Sequence, residues 1–356
     1  MAIGAATEIF APLDDIIEPK WWTGVPAISP ELFTIDGNQF RVHGEPLEPS
    51  AELAQCMQKT FDDIGLVHVI NTGLTDMQSM RLIATQVLKN ERQYEGGANP
   101  RKTLQPNVYE VGAPLEASLH YHHEMAYIDS STTMVSFMCN KIPAEGGYTF
   151  VSDNVAATES ILATEFGQKL KKLGICYHRD LTDRLAFQNR VEYGVYNHWQ
   201  LSMMTDNQDE AIAEARSRGL TAEWGNDRKL KTRYTISAFE YFPHLGRNLL
   251  YSSMADDSAW FDSWPLVQHV APEDRPLKLT FGDLSEMTRA EKQLFIDVYD
   301  QHGIPIPWKV GDVALICNYR FAHGRPGIQL KEGEDRELGV LIGETFNRLQ
   351  TFDDKW

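Results

Sequence analysis

The sequence predicts a mainly β fold decorated with α-helices. Apolar, strand-like runs occur in both halves of the chain, at 66–70, 134–139, 313–317 and 338–342. Helical patterns precede and separate these runs, but strands and helices do not alternate regularly. The chain also lacks the GxGxxG and Walker motifs of nucleotide-binding sheets. We therefore expect an all-β core with helices around it.

Capping residues indicate where the helices begin and end. Ser50 is placed to cap a helix that continues to about Asp63 and ends before Gly65. Thr75 and Asp76 precede a second helix, and later helices are expected after Asp153 and Thr288. The expected ranges are 77–89, 154–173, 208–218 and 288–302. Residues 91–115 are predicted to form a long loop, and loops of that length are often functional.

Length, charge and cysteine content narrow the class of protein. The 356 residues are interpreted as one domain, 1–356, with an irregular segment at 1–48 and loop or lid insertions at 91–115 and 180–235. A formal charge of −17 argues against nucleic acid or an anionic membrane as a partner. The four cysteines form no CxxC pair, which favours reduced thiols in a cytoplasmic protein. Neither a signal peptide nor a membrane-spanning run is predicted.

A cluster of histidines and one carboxylate lies at 119–127, in the sequence LHYHHEMAY. If this stretch is a strand, His120, His122 and Glu124 share one face, and His123 points to the other. A His-x-Glu pair supplies two of the three ligands of the facial triad that binds non-haem Fe(II). His323, which follows a buried strand and precedes Gly324, is the best candidate for the third.

Each of these assignments has an alternative. His120 could replace His122 beside Glu124, and His323 could be an ordinary loop histidine. His68 lies within an apolar strand and is interpreted as a core histidine.

Several motifs occur in an order that resembles one enzyme family, the TauD/TfdA-type Fe(II)/2-oxoglutarate dioxygenases. The chain is most similar to their clavaminate-synthase-like branch, in which the carboxylate ligand is a glutamate. The resemblance covers roughly residues 105–345. Its motifs are His122-x-Glu124, Gly146-Gly147-Tyr148-Thr149, Phe281-Gly282-Asp283, Trp308-Lys309-Val310-Gly311-Asp312, Asn318, Ala322-His323-Gly324-Arg325 and Arg336.

The resemblance implies a double-stranded β-helix, or jelly roll, with Fe(II) bound by His122, Glu124 and His323. It further implies 2-oxoglutarate as cosubstrate and O₂ as oxidant. Thr149 would hydrogen-bond a carboxylate of 2-oxoglutarate, and Arg336 would pair with its far carboxylate. A guanidinium is always charged and binds a carboxylate as a fork, which suits that role. Arg325 is the rival anchor, or else binds substrate or stabilises its loop.

The expected reaction couples oxidative decarboxylation of 2-oxoglutarate to C–H oxidation of a small molecule. Hydroxylation, desaturation and oxidative cyclisation all remain open, and the expected substrate is amino-acid-derived or carboxylated. Cationic side chains that could bind it are Arg101, Arg190, Arg233 and Arg325. The alternatives are a zinc hydrolase with the same three ligands and a structural metal site in which His120 is a fourth ligand.

Overall fold

The architecture was taken from a computed structural model, which describes residue 21 and residues 25–94, 101–112, 114–186 and 198–348. The strands are β1 Thr34–Asp36, β2 Leu66–Ile70, β3 Glu91–Arg92, β4 Thr103–Gln105, β5 Val108–Glu110, β6 Leu119–His122, β7 Ser130–Lys141, β8 Thr149–Asp153, β9 Ile175–Leu181, β10 Thr221–Trp224, β11 Leu230–Ile236, β12 Phe239–Phe242, β13 Arg247–Leu250, β14 Leu277–Phe281, β15 Gly303–Ile306, β16 Val313–Cys317, β17 Phe321–Arg325 and β18 Glu337–Asn347. The helices are α1 Ala51–Ile64, α2 Met77–Ala84, α3 Asn154–Leu162, α4 Glu165–Leu173, α5 Trp199–Ser202, α6 Gln208–Ser217 and α7 Arg289–Gln301.

Two sheets form the β core. The larger has the order β1-β2-β16-β7-β18-β5-β4, with β3 also paired to β18, and the smaller has the order β15-β8-β17-β6. Along the chain the core strands change sheet at each step except from β8 to β15, which pair with each other: β6, β8, β15 and β17 lie in the smaller sheet, and β7, β16 and β18 lie in the larger. This alternation is that of a double-stranded β-helix, so the predicted mainly β, jelly-roll fold class is confirmed.

The central strands of the larger sheet are buried on both faces. In β16, Ala314 and Ile316 join the main hydrophobic cluster between the sheets, whereas Val313 and Leu315 join a second cluster beneath α1 and α2. Successive side chains of a strand point to opposite faces, so a strand covered on both sides is apolar throughout. This explains why 313–317 is recognisable as a strand in the sequence.

The predicted caps of the first helices are confirmed. The Ser50 hydroxyl accepts a hydrogen bond from the Leu53 N–H at 3.2 Å, and Gly65 ends α1 with a φ of 82°. Asp76 caps α2 in the same way, but this helix ends at Ala84 and not near residue 89. The chain turns there so that β3 can pair with β18, and this long-range contact is not visible in the local sequence.

Other expectations need correction. The described part of 1–48 contains β1, which pairs in parallel with β2, and 91–115 contains β3, β4 and β5 and is not a continuous loop. The strand considered for 119–127 ends at His122, and residues 124–129 form turns and bends. The helical region at 154–173 is divided into α3 and α4, because Thr164 caps a new helix. The helices expected at 208–218 and 288–302 are confirmed as α6 and α7.

The segment 180–235 contributes to a separate four-stranded sheet of order β10-β11-β9-β14, and residues 187–197 lie outside the described ranges. The four cysteines are free, and three of them are buried. In the described parts of the chain, no helix has the length and apolar character needed to cross a membrane.

Candidate active site

The candidate site lies where β6 and β17 pair in the smaller sheet. His122 is directly opposite His323, but the next aligned pair is Leu119 and Arg325. Two residues of β6, His120 and Tyr121, therefore lie opposite Gly324 alone, which defines a β-bulge. The extra residue reverses the side-chain alternation, so Leu119 and His122 both line the central cavity.

The bulge corrects the prediction that His120 shares the face of His122. His120 is fully buried outside the cavity lining, and its charged neighbours are Asp257, Asp262 and Lys292. It does not belong to the group of potential metal ligands. Neither the slipped ligand pair nor a fourth ligand from His120 is supported by this arrangement.

The bulge also requires a glycine at position 324. A Cβ atom there would lie 2.6 Å from the Leu119 carbonyl oxygen and 3.2 Å from the His120 carbonyl carbon. The backbones of β6 and β17 can therefore approach each other only because residue 324 has no side chain. The close approach brings the two histidine rings together, with 4.1 Å between their centroids.

Glu124 is positioned by its backbone, in the turn after β6. The Asn318 side chain accepts a hydrogen bond from the Glu124 N–H at 2.8 Å and donates one to the Glu124 carbonyl oxygen at 3.0 Å. Tyr251 and Ser131 donate to the same carbonyl oxygen, each at 3.1 Å. Met125 adopts a left-handed conformation with a φ of 59°, which turns the chain sharply after Glu124. These contacts direct the carboxylate toward the histidines without a continuous strand.

His122, Glu124 and His323 each offer a ligand atom, and these atoms all lie within 4.8 Å of one another. Nε2 of His323 is 3.6 Å from Oε2 of Glu124. Nδ1 of His122 donates to the His120 carbonyl oxygen at 2.9 Å, so its Nε2 carries the free lone pair. A backbone partner on the second ring nitrogen is the usual way in which a metal-binding histidine is oriented.

The electrostatics keep two of these groups in their metal-binding protonation state. Burial, together with the neighbouring His323, lowers the pKa of His122 to about 3. Burial alone would raise the pKa of Glu124, but Arg101 and the two histidines outweigh it and hold that pKa well below its ordinary value. Two imidazoles and one carboxylate suit Fe(II) and leave coordination positions for small molecules, so the residues fit such an ion.

Next to this cluster, the cavity is lined by the two residues expected to bind the cosubstrate, Thr149 and Arg336. The Arg336 guanidinium donates through Nε to the Gly147 carbonyl oxygen at 3.1 Å, and no carboxylate of the described residues pairs with it. Burial lowers its pKa only to about 10, so it stays charged at neutral pH. The Thr149 hydroxyl accepts a hydrogen bond from the Trp308 indole at 2.9 Å, which leaves its own proton available for a ligand.

Arg325 lines the same cavity, but backbone oxygens occupy its guanidinium. It donates to the carbonyl oxygens of Pro114, Leu115 and Ala117 at 2.6, 2.9 and 2.8 Å. This arrangement stabilises the segment that leads into β6. Of the two possible anchors for a dicarboxylate, Arg325 already uses both of its Nη groups, whereas no described residue pairs with either Nη group of Arg336.

Several lining residues were not identified from the sequence. The Tyr94 hydroxyl donates to Oε1 of Glu124, and Arg179 forms a buried ion pair with Asp256. Tyr94 belongs to the segment that was expected to be functional because of its length. Arg179 and Asp256 come together only through the fold, and no sequence signal connects them.

The other arginines considered for substrate binding differ in position. Arg101 lines the cavity and lies 3.3 Å from Glu124. Arg233 is 46% exposed and pairs with Glu223 outside the cavity. Arg190 lies outside the described residues. His68 bonds Asp312 in the core at 3.1 Å, and His123 bonds the Ser252 backbone and packs on Tyr251, as expected for packed histidines.

Comparison with known proteins gives one family match over most of the chain. The model of "Taurine catabolism dioxygenase TauD, TfdA family" matches residues 45–341. The similarity therefore begins about 60 residues earlier than the motifs had indicated, and it includes all six of the residues predicted to bind metal or cosubstrate.

Three individual proteins that match this chain each share less than 30% sequence identity with it. A clavaminate synthase-like protein from Arabidopsis thaliana is 27% identical over 240 residues, which cover 66% of this chain and 69% of that protein. The dapdiamide synthesis protein DdaC from Enterobacter agglomerans is 21% identical over 276 residues, which cover 76% and 79% of the two chains. A taurine dioxygenase crystal structure from Burkholderia xenovorans aligns with a TM-score of 0.48 and 14% identity, over 88% of this chain and 86% of that one.

Proposed function

Because the chain belongs to the TauD/TfdA family of dioxygenases, we propose that it is an Fe(II)- and 2-oxoglutarate-dependent oxygenase with His122, Glu124 and His323 as its metal ligands. When bound, iron and 2-oxoglutarate would supply the oxidising chemistry, in which decarboxylation of 2-oxoglutarate by O₂ is coupled to oxidation of a substrate C–H bond. The substrate is a small molecule that is amino-acid-derived or carboxylated, and the outcome is hydroxylation, desaturation or oxidative cyclisation.

The observation that carries this proposal is that one cavity contains a His-Glu-His cluster and a buried arginine, Arg336, with which no carboxylate of the described residues pairs. A buried guanidinium without a carboxylate is costly, unless a ligand provides the missing negative charge. Arg336 would bind the far carboxylate of 2-oxoglutarate as a fork, and Thr149 would donate its hydroxyl proton to a carboxylate of 2-oxoglutarate. A zinc hydrolase with these three ligands would have no use for Arg336, and a structural site would be expected to have a fourth protein ligand.

The remaining lining residues would orient the ligands and limit the access of water. The Phe137 ring packs edge-on against His323, with 5.3 Å between the centroids, and restrains that imidazole. Leu119, Val111 and Leu277 add apolar surface near the metal ligands. Tyr94 and Arg101, from the expected loop region, contact the side of Glu124 that faces away from His323. We propose that this region covers the substrate, whereas no described residue of 180–235 lines the cavity.

The two relatives with curated names support a role in secondary metabolism. One is named for its likeness to clavaminate synthase and the other for dapdiamide synthesis. We propose the same role for this chain.

An anaerobic titration tests the enzyme class and the anchor together. Fe(II) and then 2-oxoglutarate are added to the metal-free protein, and the visible absorption band of the chelated cosubstrate is recorded. We expect the band in the wild type and at least a 10-fold higher half-saturating concentration in Arg336→Ala, because a charge-assisted pair is lost. The matched control is Arg233→Ala, which removes an arginine outside the cavity.

The outcomes separate the alternatives. No band in the wild type at any 2-oxoglutarate concentration would refute the proposed enzyme class. If Arg336→Ala gives the band at the wild-type half-saturating concentration, the enzyme class is retained and Arg325 becomes the residue proposed to bind the far carboxylate.

A further inference from the structure

The charged residues around the cavity suggest what kind of substrate it takes. Although the whole chain has a formal charge of −17, the described residues that line the cavity include four guanidiniums and two carboxylates. These residues are Arg101, Arg179, Arg325, Arg336, Glu124 and Asp256. An excess of positive charge in a partly enclosed site favours a negatively charged ligand.

Two of the four guanidiniums are already engaged by the protein. Arg179 is paired with Asp256 and lies over the Tyr127 ring, with its guanidinium carbon 3.8 Å from the ring centroid. Arg325 donates to the carbonyl oxygens that precede β6. Either side chain would have to give up these partners to bind a ligand carboxylate, so neither is a ready anion site.

In each of the other two guanidiniums, at least one Nη group has no partner among the described residues. Arg336 bonds only the Gly147 carbonyl oxygen through Nε, and Arg101 uses only Nη2, toward Tyr94 and Glu124. Within the described ranges, no partner is found for Nε and Nη1 of Arg101 or for Nη1 and Nη2 of Arg336. These two guanidinium groups could each bind one carboxylate. 2-Oxoglutarate needs only one of them, because it has a single carboxylate far from its chelating end. One site, at Arg101, is left over.

The carboxylates of the described lining offer no place for an ammonium group. In Asp256, Oδ1 accepts from Arg179 and Oδ2 accepts from the Ser253 hydroxyl at 2.7 Å. In Glu124, Oε1 accepts from Tyr94, and Oε2 faces His323 within the ligand cluster. An ammonium group bound here would stay without a negative partner, which is unfavourable in a buried site.

We infer that Arg101 binds the carboxylate of the substrate, and that the substrate has no free ammonium group beside that carboxylate. The substrate class is therefore a carboxylic acid whose nitrogen, if it has one, is acylated or otherwise uncharged, and a zwitterionic amino acid is disfavoured. This inference rests on the proposed function, because Arg101 is left over only if Arg336 binds 2-oxoglutarate.

Matched ligand sets test both halves of the inference. Each set contains an N-acetyl amino acid, its carboxamide and the free amino acid, and sets are made for alanine, leucine, phenylalanine and glutamate. The ligands are titrated without O₂ into protein loaded with Fe(II) and 2-oxoglutarate, and binding is measured from the change in the visible band, without turnover. In at least one set, the N-acetyl acid should bind about 10- to 100-fold more tightly than its carboxamide. It should also bind more tightly than the free amino acid.

Variants of Arg101 locate the effect. Because Arg101 also contacts Glu124, the quantity to compare is the ratio of the acid and carboxamide dissociation constants within one variant, in which any change in the metal site cancels. Arg101→Gln should bring this ratio close to one, and Arg101→Lys should give an intermediate ratio, since lysine keeps the charge but not the fork. Arg233→Gln, outside the cavity, should keep the wild-type ratio.

Failure of this inference can be told apart from failure of the proposed function. If 2-oxoglutarate produces no band in the wild type, the proposed function itself is wrong. If the band forms, the inference is overturned when no set prefers the acid to its carboxamide, when the free amino acid binds best, or when Arg101→Gln keeps the preference.

Discussion

Asn318 should control metal binding although it contacts no metal ligand atom. It is fully buried, and its side chain is the only hydrogen-bond partner of the Glu124 N–H among the described residues. Asn318→Ala would therefore leave that N–H buried and unsatisfied, at a cost of about 1–3 kcal/mol. The other groups that it bonds lose less, because the Ser131 hydroxyl can donate to the Glu124 carbonyl oxygen and the Tyr251 hydroxyl to that of Thr132.

Together these losses should lower the free energy of unfolding by roughly 3 kcal/mol. A larger effect is expected on metal affinity, because Glu124 lies in a turn and is oriented by the hydrogen bonds between its backbone and the Asn318 side chain. Loss of contacts that orient a ligand typically weakens metal affinity about 10- to 100-fold. The assays are urea denaturation of the metal-free protein and an anaerobic Fe(II) competition titration with a chromophoric chelator.

The control is Leu315→Ala, in the strand just before Asn318. Leu315 is fully buried on the opposite face of the larger sheet, and its truncation should cost about 2–5 kcal/mol without altering the turn at Glu124. If both variants weaken Fe(II) binding equally at a similar loss of stability, Asn318 has no specific role in orienting Glu124, and the prediction is refuted.

Two further predictions concern the paired strands β6 and β17, which contain His120 and Gly324. Gly324→Ala should lower stability by about 2–3 kcal/mol and weaken Fe(II) binding, because the new Cβ would press on the Leu119 carbonyl oxygen. The control is Gly333→Ala, because Gly333 has a positive φ but has open space around an added Cβ. This substitution should lower the free energy of unfolding by only about 1 kcal/mol in the urea assay and leave the metal affinity unchanged. Equal effects of the two substitutions would contradict the steric argument. Burial lowers the pKa of His120 from 6.5 to about 4. Between about pH 6.5 and pH 4 the unfolded chain therefore binds a proton that the folded chain does not, and the free energy of unfolding decreases as the pH is lowered. His120→Leu should therefore reduce the stability lost between pH 7.5 and pH 5 by about 2 kcal/mol in urea denaturation, and an unchanged pH dependence would show that His120 is not buried in its neutral form.

The sequence was sufficient for elements that are defined by local chemistry. Ser50 and Gly65 have the side chains that helix ends require, so both ends of α1 could be placed. The strand 313–317 was recognisable because burial on both faces makes it continuously apolar. The His-x-Glu pair and the distant His323 were identified because few residue types bind metal and because the order of motifs resembles a family. The structure brings these three side chains together, and their role as ligands stays a prediction.

What could not be predicted depends on contacts between distant segments and on irregular backbone. The β-bulge opposite Gly324 has no periodic signature, so the strand pattern placed His120 on the wrong face. The Arg179–Asp256 pair joins residues 77 positions apart, one in β9 and the other in a turn after β13, and they become neighbours only in the folded chain. The end of α2 was misplaced because β3 pairs with β18, and no residue near 85 encodes that pairing.

The contrast between the acidic chain and its arginine-rich cavity bears on how a carboxylated substrate would be selected. At physiological ionic strength, charges more than about 8 Å apart in solvent are largely screened, so the net charge of −17 has little effect inside the cavity. At the surface the same charge repels anions and gives them no electrostatic steering toward the site. Selection of an anion would thus depend on direct contact with Arg101 and Arg336, two guanidiniums that the described residues leave partly unpaired. Affinity for 2-oxoglutarate and for the substrate would then be governed mainly by dissociation from these contacts, which is why single arginine substitutions are the decisive experiments.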